Sequence, residues 1–262
     1  MTTSPLLMIL KLALVAASIL GASLLARRYG HAVSGALAGL PVIVGPIIAI
    51  LLIDLPAERV RGIALATLVC QPAMLAHIVV FARAARRFAW PVCLALAMGA
   101  YGVAALGLSS VDWPPLVVIA VVLVALTAAT RALPVDAAPA APVAVPASEL
   151  WWRLAAALAI AATVMWGADH LPAAIAGALL ALPITGSVLP CFTLPRHGPR
   201  ATARLLGGFV RGQSGFVAFF IALVLLLPVW PKAAAFIASV ACAVGVPWGQ
   251  RAARPRGTTD AA

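Results

Sequence analysis

The chain has 262 residues, 64% hydrophobic and 10% charged, with a mean hydropathy of +1.10 and a formal net charge of +11. So little polar surface excludes a soluble globular domain and leaves lipid as the solvent for most of the chain. Backbone groups in lipid must be satisfied within their own segment, and runs this long and uniformly apolar do so as helices, not barrel strands.

Nine spans are predicted, at 5–26, 34–53, 60–82, 89–108, 114–132, 151–168, 173–193, 204–228 and 232–250. The first ten residues carry no Lys or Arg. A cleavable signal peptide is therefore not expected, and span one should stay in the membrane. Lys11 lies about two turns into it, at a depth where a charge costs at least about 2.5–3.5 kcal/mol unless the side chain snorkels to the headgroups or faces a polar cavity. Span two contains the stretch GALAGLPVIVGP, Gly35 to Pro46, with Pro41, Gly45 and Pro46 inside an apolar run. Span three carries Thr67, Gln71 and His77. A lone membrane histidine has a simple reading as a hydrogen-bonded neighbour and a sharper one as a proton carrier.

Between spans five and six the chain reads PVDAAPAAPVAVPAS, Pro134 to Ser148, a Pro/Ala-rich semi-rigid linker. The expected organisation is a first membrane unit with its spacer helix over 1–133, a linker over 134–149 and a second membrane unit with a basic tail over 150–262. Span six opens near Arg153, for which snorkelling is again the simple reading. Span seven holds GALLALPITGSVLP, Gly177 to Pro190, with Pro183 and Gly186. Span eight carries GGFVRGQSGF, Gly207 to Phe216, which surrounds Arg211, Gln213 and Ser214 with glycines. Such a stretch serves either as a tight packing seam or as a polar lining.

Loop charges alternate between faces. One face collects Arg27, Arg28, Arg83, Arg86, Arg87, Arg131, Arg196, Arg200, Arg204, Arg251, Arg254 and Arg256; the other has Arg59, Arg61 and Lys232 beside Asp54, Glu58, Asp112 and Asp169. The bias makes the arginine face cytoplasmic, with the N-terminus outside and the C-terminus inside. It also accounts for the net charge without nucleic acid, as topology plus attraction to anionic lipid.

A shift of 142 residues aligns the two proline-containing stretches without a gap. Pro41 falls on Pro183, Lys11 on Arg153 and Gln71 on Gln213. Between positions 11 and 46 there are ten identities, against roughly four expected by chance in a chain so rich in Ala and Leu. Spans one to four then repeat as spans six to nine. Span five, an odd spacer, inverts the second unit, the arrangement common in secondary transporters. The expected fold is an all-α polytopic membrane protein with an inverted-topology repeat. The expected site is a central cavity opened by Pro41, Gly45, Pro183 and Gly186 and lined by Gln71, Gln213 and Arg211, with Lys11 and Arg153 as secondary cations. Simple kinking of two packing helices is the alternative.

The acidic residues fall at span ends, so carboxylate coupling within the bilayer is disfavoured and a small polar or anionic solute is favoured. Cys70, Cys93, Cys191 and Cys242 form no CxxC pair, and no catalytic constellation, metal-ligand spacing or nucleotide-binding loop occurs. No cofactor, metal or enzymatic activity is expected. The partners expected are the solute and membrane lipids, and a homodimer is among the arrangements allowed.

Each unit resembles the GlpM family of small four-helix bacterial inner-membrane proteins. The resemblance rests on LKLALVAASILGASLLARRYGHAVSGALAGLPVIVGP followed by LPAERVRGIALATLVCQPAML: a base early in the first helix, a basic loop, a G-L-x-P-like stretch and an E-R-x-x-G-type turn. It spans about residues 8–105 and, more weakly, 150–250, where Pro199-Arg200 replace the Glu58-Arg59 pair. It implies a fused, inverted pair of such units in a bacterial inner membrane. That family is linked to production of an exported acidic polysaccharide, so an accessory role in an envelope-polymer assembly stands beside transport.

Overall fold

The computed structural model describes residues 12–13, 15–17, 20, 41–42, 44–133, 147–167 and 170–252. Every regular element among them is helical: α1 (Val44–Asp54), α2 (Ala57–Ala84), α3 (Trp90–Ser109), α4 (Pro115–Ala132), α5 (Ala147–Trp166), α6 (Ala173–Leu180), α7 (Ile184–Leu226) and α8 (Lys232–Ala252). Five helical stretches are long and apolar enough to cross a membrane. The chain is a helical membrane protein.

Proline sets most of the helix starts. Pro56, Pro114, Pro172 and Pro183 stand immediately before α2, α4, α6 and α7, and Pro91 lies in the first turn of α3. The missing N–H costs nothing there, because the first turn has no intrahelical acceptor for it. The expected limits hold to within a few residues for α2, α3, α4 and α8. The stretch 194–203, expected as a loop, is helical on both sides of Gly198, whose backbone (φ 75°, ψ 179°) breaks the α pattern of α7. Only glycine adopts that conformation readily, and it lets the chain reverse. The reversal is visible in packing: a Cβ on Gly186 would lie 3.5 Å from the Phe209 ring, although 23 positions separate the two. α7 is therefore two arms folded against each other.

The two central elements are α2 and the α6–α7 segment, with 61% and 67% of their most apolar windows buried, against 22% or less for α3, α4 and α8. Exposed Val103, Leu106, Leu116, Val124, Ile237 and Val244 on those outer helices are the lipid face. Trp90, Trp151, Trp152, Trp230 and Trp248, all exposed and close to helix ends, suit the headgroup zones. Inside, one apolar cluster joins α1, the first half of α2, α5 and the last half of α7 around Ile47, Leu51, Leu68, Phe219 and Phe220. A second joins the last half of α2 to α3 and the start of the second arm of α7 around Leu75, Phe81, Cys93 and Val210.

At one end of the molecule three cations bond backbone carbonyls, two of them at helix C-termini. Lys232 Nζ donates to the carbonyls of Leu52 (3.0 Å) and Leu55 (2.7 Å) at the end of α1. Arg61 Nε donates to Val224 O (3.1 Å) at the end of α7, and Arg59 donates to Leu171 O just before α6. These are the same three cations that depart from the arginine bias, and each satisfies carbonyls that lack a helical donor. Arg83 in the last turn of α2, Arg86 and Arg87 just after it, Arg131 at the end of α4, and Arg196 and Arg200 around Gly198 lie at the opposite end.

Two outcomes follow for stability in detergent. A Cβ on Gly177 of α6 would sit 2.5 Å from Ala66 Cβ and 2.6 Å from the Thr67 backbone N. Gly177→Ala is expected to lower the free energy of unfolding by about 1–3 kcal/mol. Gly99→Ala, with nothing within 4 Å of the added carbon among the described residues, is expected to leave it unchanged or slightly higher. Lys232→Met removes the charge-assisted bonds at the end of α1 and is expected to cost about 1.5–3 kcal/mol, measured by the same denaturation series.

Candidate functional site at mid-depth

Gln71 lies midway along α2 and Gln213 midway along the second arm of α7, each about 20 Å from its helix ends at 1.5 Å per residue. Their side chains meet: Gln71 Nε2 donates to Gln213 Oε1 at 3.0 Å across a sequence separation of 142. That separation equals the register shift found in the sequence. Both are buried, at 0% and 1% exposure. Thr67 and Ser214 are buried beside them and return their hydroxyls to their own helices, at Ile63 O (2.9 Å) and Arg211 O (2.9 Å). These four residues form a polar seam between the two apolar clusters. Gln71 Oε1 has no hydrogen-bond partner, while Nε2 also reaches Met74 Sδ at 3.4 Å. The seam thus retains one acceptor for an N–H or O–H of a ligand.

Span seven is broken, not kinked. α6 ends at Leu180, Ala181 to Pro183 are non-helical, and α7 starts at Ile184. Leu182 N turns to Leu179 O (3.2 Å), so the Ala178 carbonyl loses the donor a continuous helix would supply. Tyr101 OH of α3 replaces it at 2.6 Å. Beyond the break, Ser187 Oγ meets His77 Nε2 of α2 at 3.1 Å and donates toward Met98 Sδ of α3 at 3.9 Å. Both helices flanking the break are therefore tied to the same wall, made of α2 and α3.

The expected site residues divide accordingly. Gln71 and Gln213 are brought together. Pro183 and Gly186 are buried at the break, with Gly186 against Ile78 and Phe209. Arg211 is half-buried and its side chain is engaged in contacts of its own. It stands two positions before Gln213, about 200° around the helix, so the two leave the helix on different faces; Gln213 meets Gln71. The Pro41 carbonyl accepts the Gly45 N–H (2.6 Å) just before and into the first turn of α1, which begins at Val44. Residues 21–40 and Lys11 lie outside the described residues, as do 134–146 of the linker, while α5 already begins at Ala147. Arg153 lies in the second turn of α5.

Sequence reasoning missed Tyr101 and Ser187. A signal existed for each: Tyr101 is one of two tyrosines in the chain and sits in an otherwise apolar span, and Ser187 lies inside the Pro183–Pro190 stretch. Neither residue reveals its partner, because both bonds cross between helices.

The amide pair should be visible as an energetic coupling. Gln71→Leu and Gln213→Leu are each expected to destabilise the protein, and the double variant by less than their sum. The coupling should fall near 0.6 kcal/mol and below about 2 kcal/mol, the range for interhelical hydrogen bonds in membranes. A double-mutant cycle read by unfolding in detergent checks it. No family model, no curated protein and no solved structure matches this chain.

Proposed function

We propose that the chain is a transporter that moves a small polar solute across a bacterial inner membrane by alternating access. In this reading nine spans form two inverted units, and the arginine-rich face is cytoplasmic. The units are fused versions of the GlpM-like protein that each resembles. The observation that carries the reading is the buried Gln71–Gln213 bond at mid-depth, made by residues that share one register, next to a helix broken at Pro183. Broken helices at mid-depth are where secondary transporters place their substrates. The bond across the seam acts as a closed gate: exchange of amide–amide for amide–solute bonds opens it at little net cost. A neutral polar solute, or one with a donor for Gln71 Oε1, fits this seam better than a bare anion does, because Arg211 does not share Gln213's face.

An accessory, non-transporting role in an envelope-polymer assembly is the second reading. What favours it is that the two glutamines are already bonded to each other and need no ligand to hold the seam together. The function is not enzymatic in either reading.

The test compares metabolites in cells and medium for a deletion strain and an overexpressing strain. One solute should rise inside and fall outside, or the reverse, with opposite sign in the two strains. Gln71→Leu/Gln213→Leu, inserted at normal abundance, should reduce that flux by about tenfold or more, equivalent to about 1.4 kcal/mol. No change in any solute, together with a stoichiometric partner co-purifying in mild detergent, would favour the accessory role.

A further inference from the structure

The seam and the break account for the glutamines and for Tyr101. They leave unexplained a fully buried histidine, at 0% exposure, whose Nδ1 has no hydrogen-bond partner. The hydroxyl of Ser187 has one proton, and it is directed at Met98 Sδ. With that proton directed to Met98 Sδ, Ser187 Oγ is placed to accept from His77 Nε2 at 3.1 Å, the arrangement of the Nε2–H tautomer. Nδ1 then carries a bare lone pair inside the protein. The backbone of Gly186 lies alongside the ring, as does that of Ala97. In a regular helix the Gly186 carbonyl would accept from residue 190, which is proline and has no N–H.

We propose that His77 is a proton-binding site: a proton adds to Nδ1, and the resulting N–H is held by the Gly186 carbonyl that Pro190 leaves without a helical donor. The ring gains one positive charge and keeps its Nε2–H bond to Ser187. Nothing else in the step changes covalently. Because Gly186 and Ser187 both lie in the first turn after the break, the charged ring grips the first arm of α7 at two points. The neutral ring grips it at one.

On α2 itself the nearby titratable group is Cys70; α3 brings Cys93 and Tyr101, and the first arm of α7 brings Cys191. The second arm carries Arg204 and Arg211 and α4 carries Arg131; α6 has no titratable residue. Histidine is the residue among these whose ordinary titration falls between about pH 5 and 8. The absence of acids from the predicted span interiors gives this histidine a task that carboxylates perform in other proton-driven membrane proteins.

Its use in driving transport rests on the proposed function, but the proton site itself is tested without any solute. The full-length chain in nanodiscs is labelled at imidazole nitrogens and titrated by NMR from about pH 8 to about pH 5. His77→Gln identifies the signal among the four histidines. The expected result is an Nε2–H tautomer at high pH and protonation at Nδ1 as the pH falls. In Pro190→Ala, which returns a helical N–H to the Gly186 carbonyl, protonation should require a lower pH. A ring that stays neutral to about pH 5, or a high-pH Nδ1–H tautomer, overturns the site; an unshifted titration in Pro190→Ala overturns the role of Gly186. Amide hydrogen exchange over 181–187, corrected for its intrinsic pH dependence, should slow at low pH in the unmodified chain and lose that response in His77→Gln. If it responds equally in both, the link to the broken helix fails. A pH-insensitive solute flux with a normal NMR titration would count against the transport use alone.

Discussion

A backbone carbonyl that loses its helical donor inside a membrane must find another donor within the protein, because lipid offers none. Much of what is specific about this structure follows from that constraint. The proline at 183 ends a helix at mid-depth, and the freed carbonyl of Ala178 is bonded by Tyr101 from a neighbouring helix. The carbonyls that end α1 and α7, and the one before α6, are bonded by Lys232, Arg61 and Arg59. Each replacement donor comes from a different helix, so satisfying the backbone and fixing the tertiary arrangement are one event. Lys232, Arg59, Arg61 and Tyr101 thus act as staples between segments far apart in sequence.

The same economy explains the division of the interior. Two apolar clusters fill the halves of the molecule, and the polar seam of Thr67, Gln71, Gln213 and Ser214 runs between them. Packing alone would be served as well by leucine at all four positions. A buried amide bond contributes little net stability in a membrane, since an unpacked helix in lipid also finds partners for its amides. The Gln71–Gln213 bond thus adds a directional contact between α2 and the second arm of α7 more than it adds stability. The close approach at Gly177, where α6 lies on the backbone of Ala66 and Thr67, keeps the broken helix against that seam.

The seam and the break occupy the two sides of α2. Gln71 and His77 are six positions apart, about 120° around the helix and about 9 Å along it. Gln71 faces the second arm of α7, whereas His77 faces α3 and the first arm. One helix thus touches both parts of a chain folded back at Gly198. α2 is therefore bonded to both arms, through Gln71 to the second and through His77 to the first.

The membrane class, the helical content and the limits of α2, α3, α4 and α8 were legible in the sequence, because hydropathy and proline position act locally and need no partner. So was the pairing of positions 71 and 213 by register. The sequence did not determine whether span seven was kinked or broken, since a Leu-Pro step permits either until neighbouring donors are in place. It did not connect Tyr101 with Ala178 or His77 with Ser187, whose separations of 77 and 110 residues leave no periodic trace. It also grouped Arg211 with Gln213 on proximity along the chain, where helix geometry separates them. What composition and pattern fixed is where the chain lies in lipid. What only the tertiary structure decided is which side chain replaces each lost backbone donor, because that depends on contacts between helices far apart in sequence.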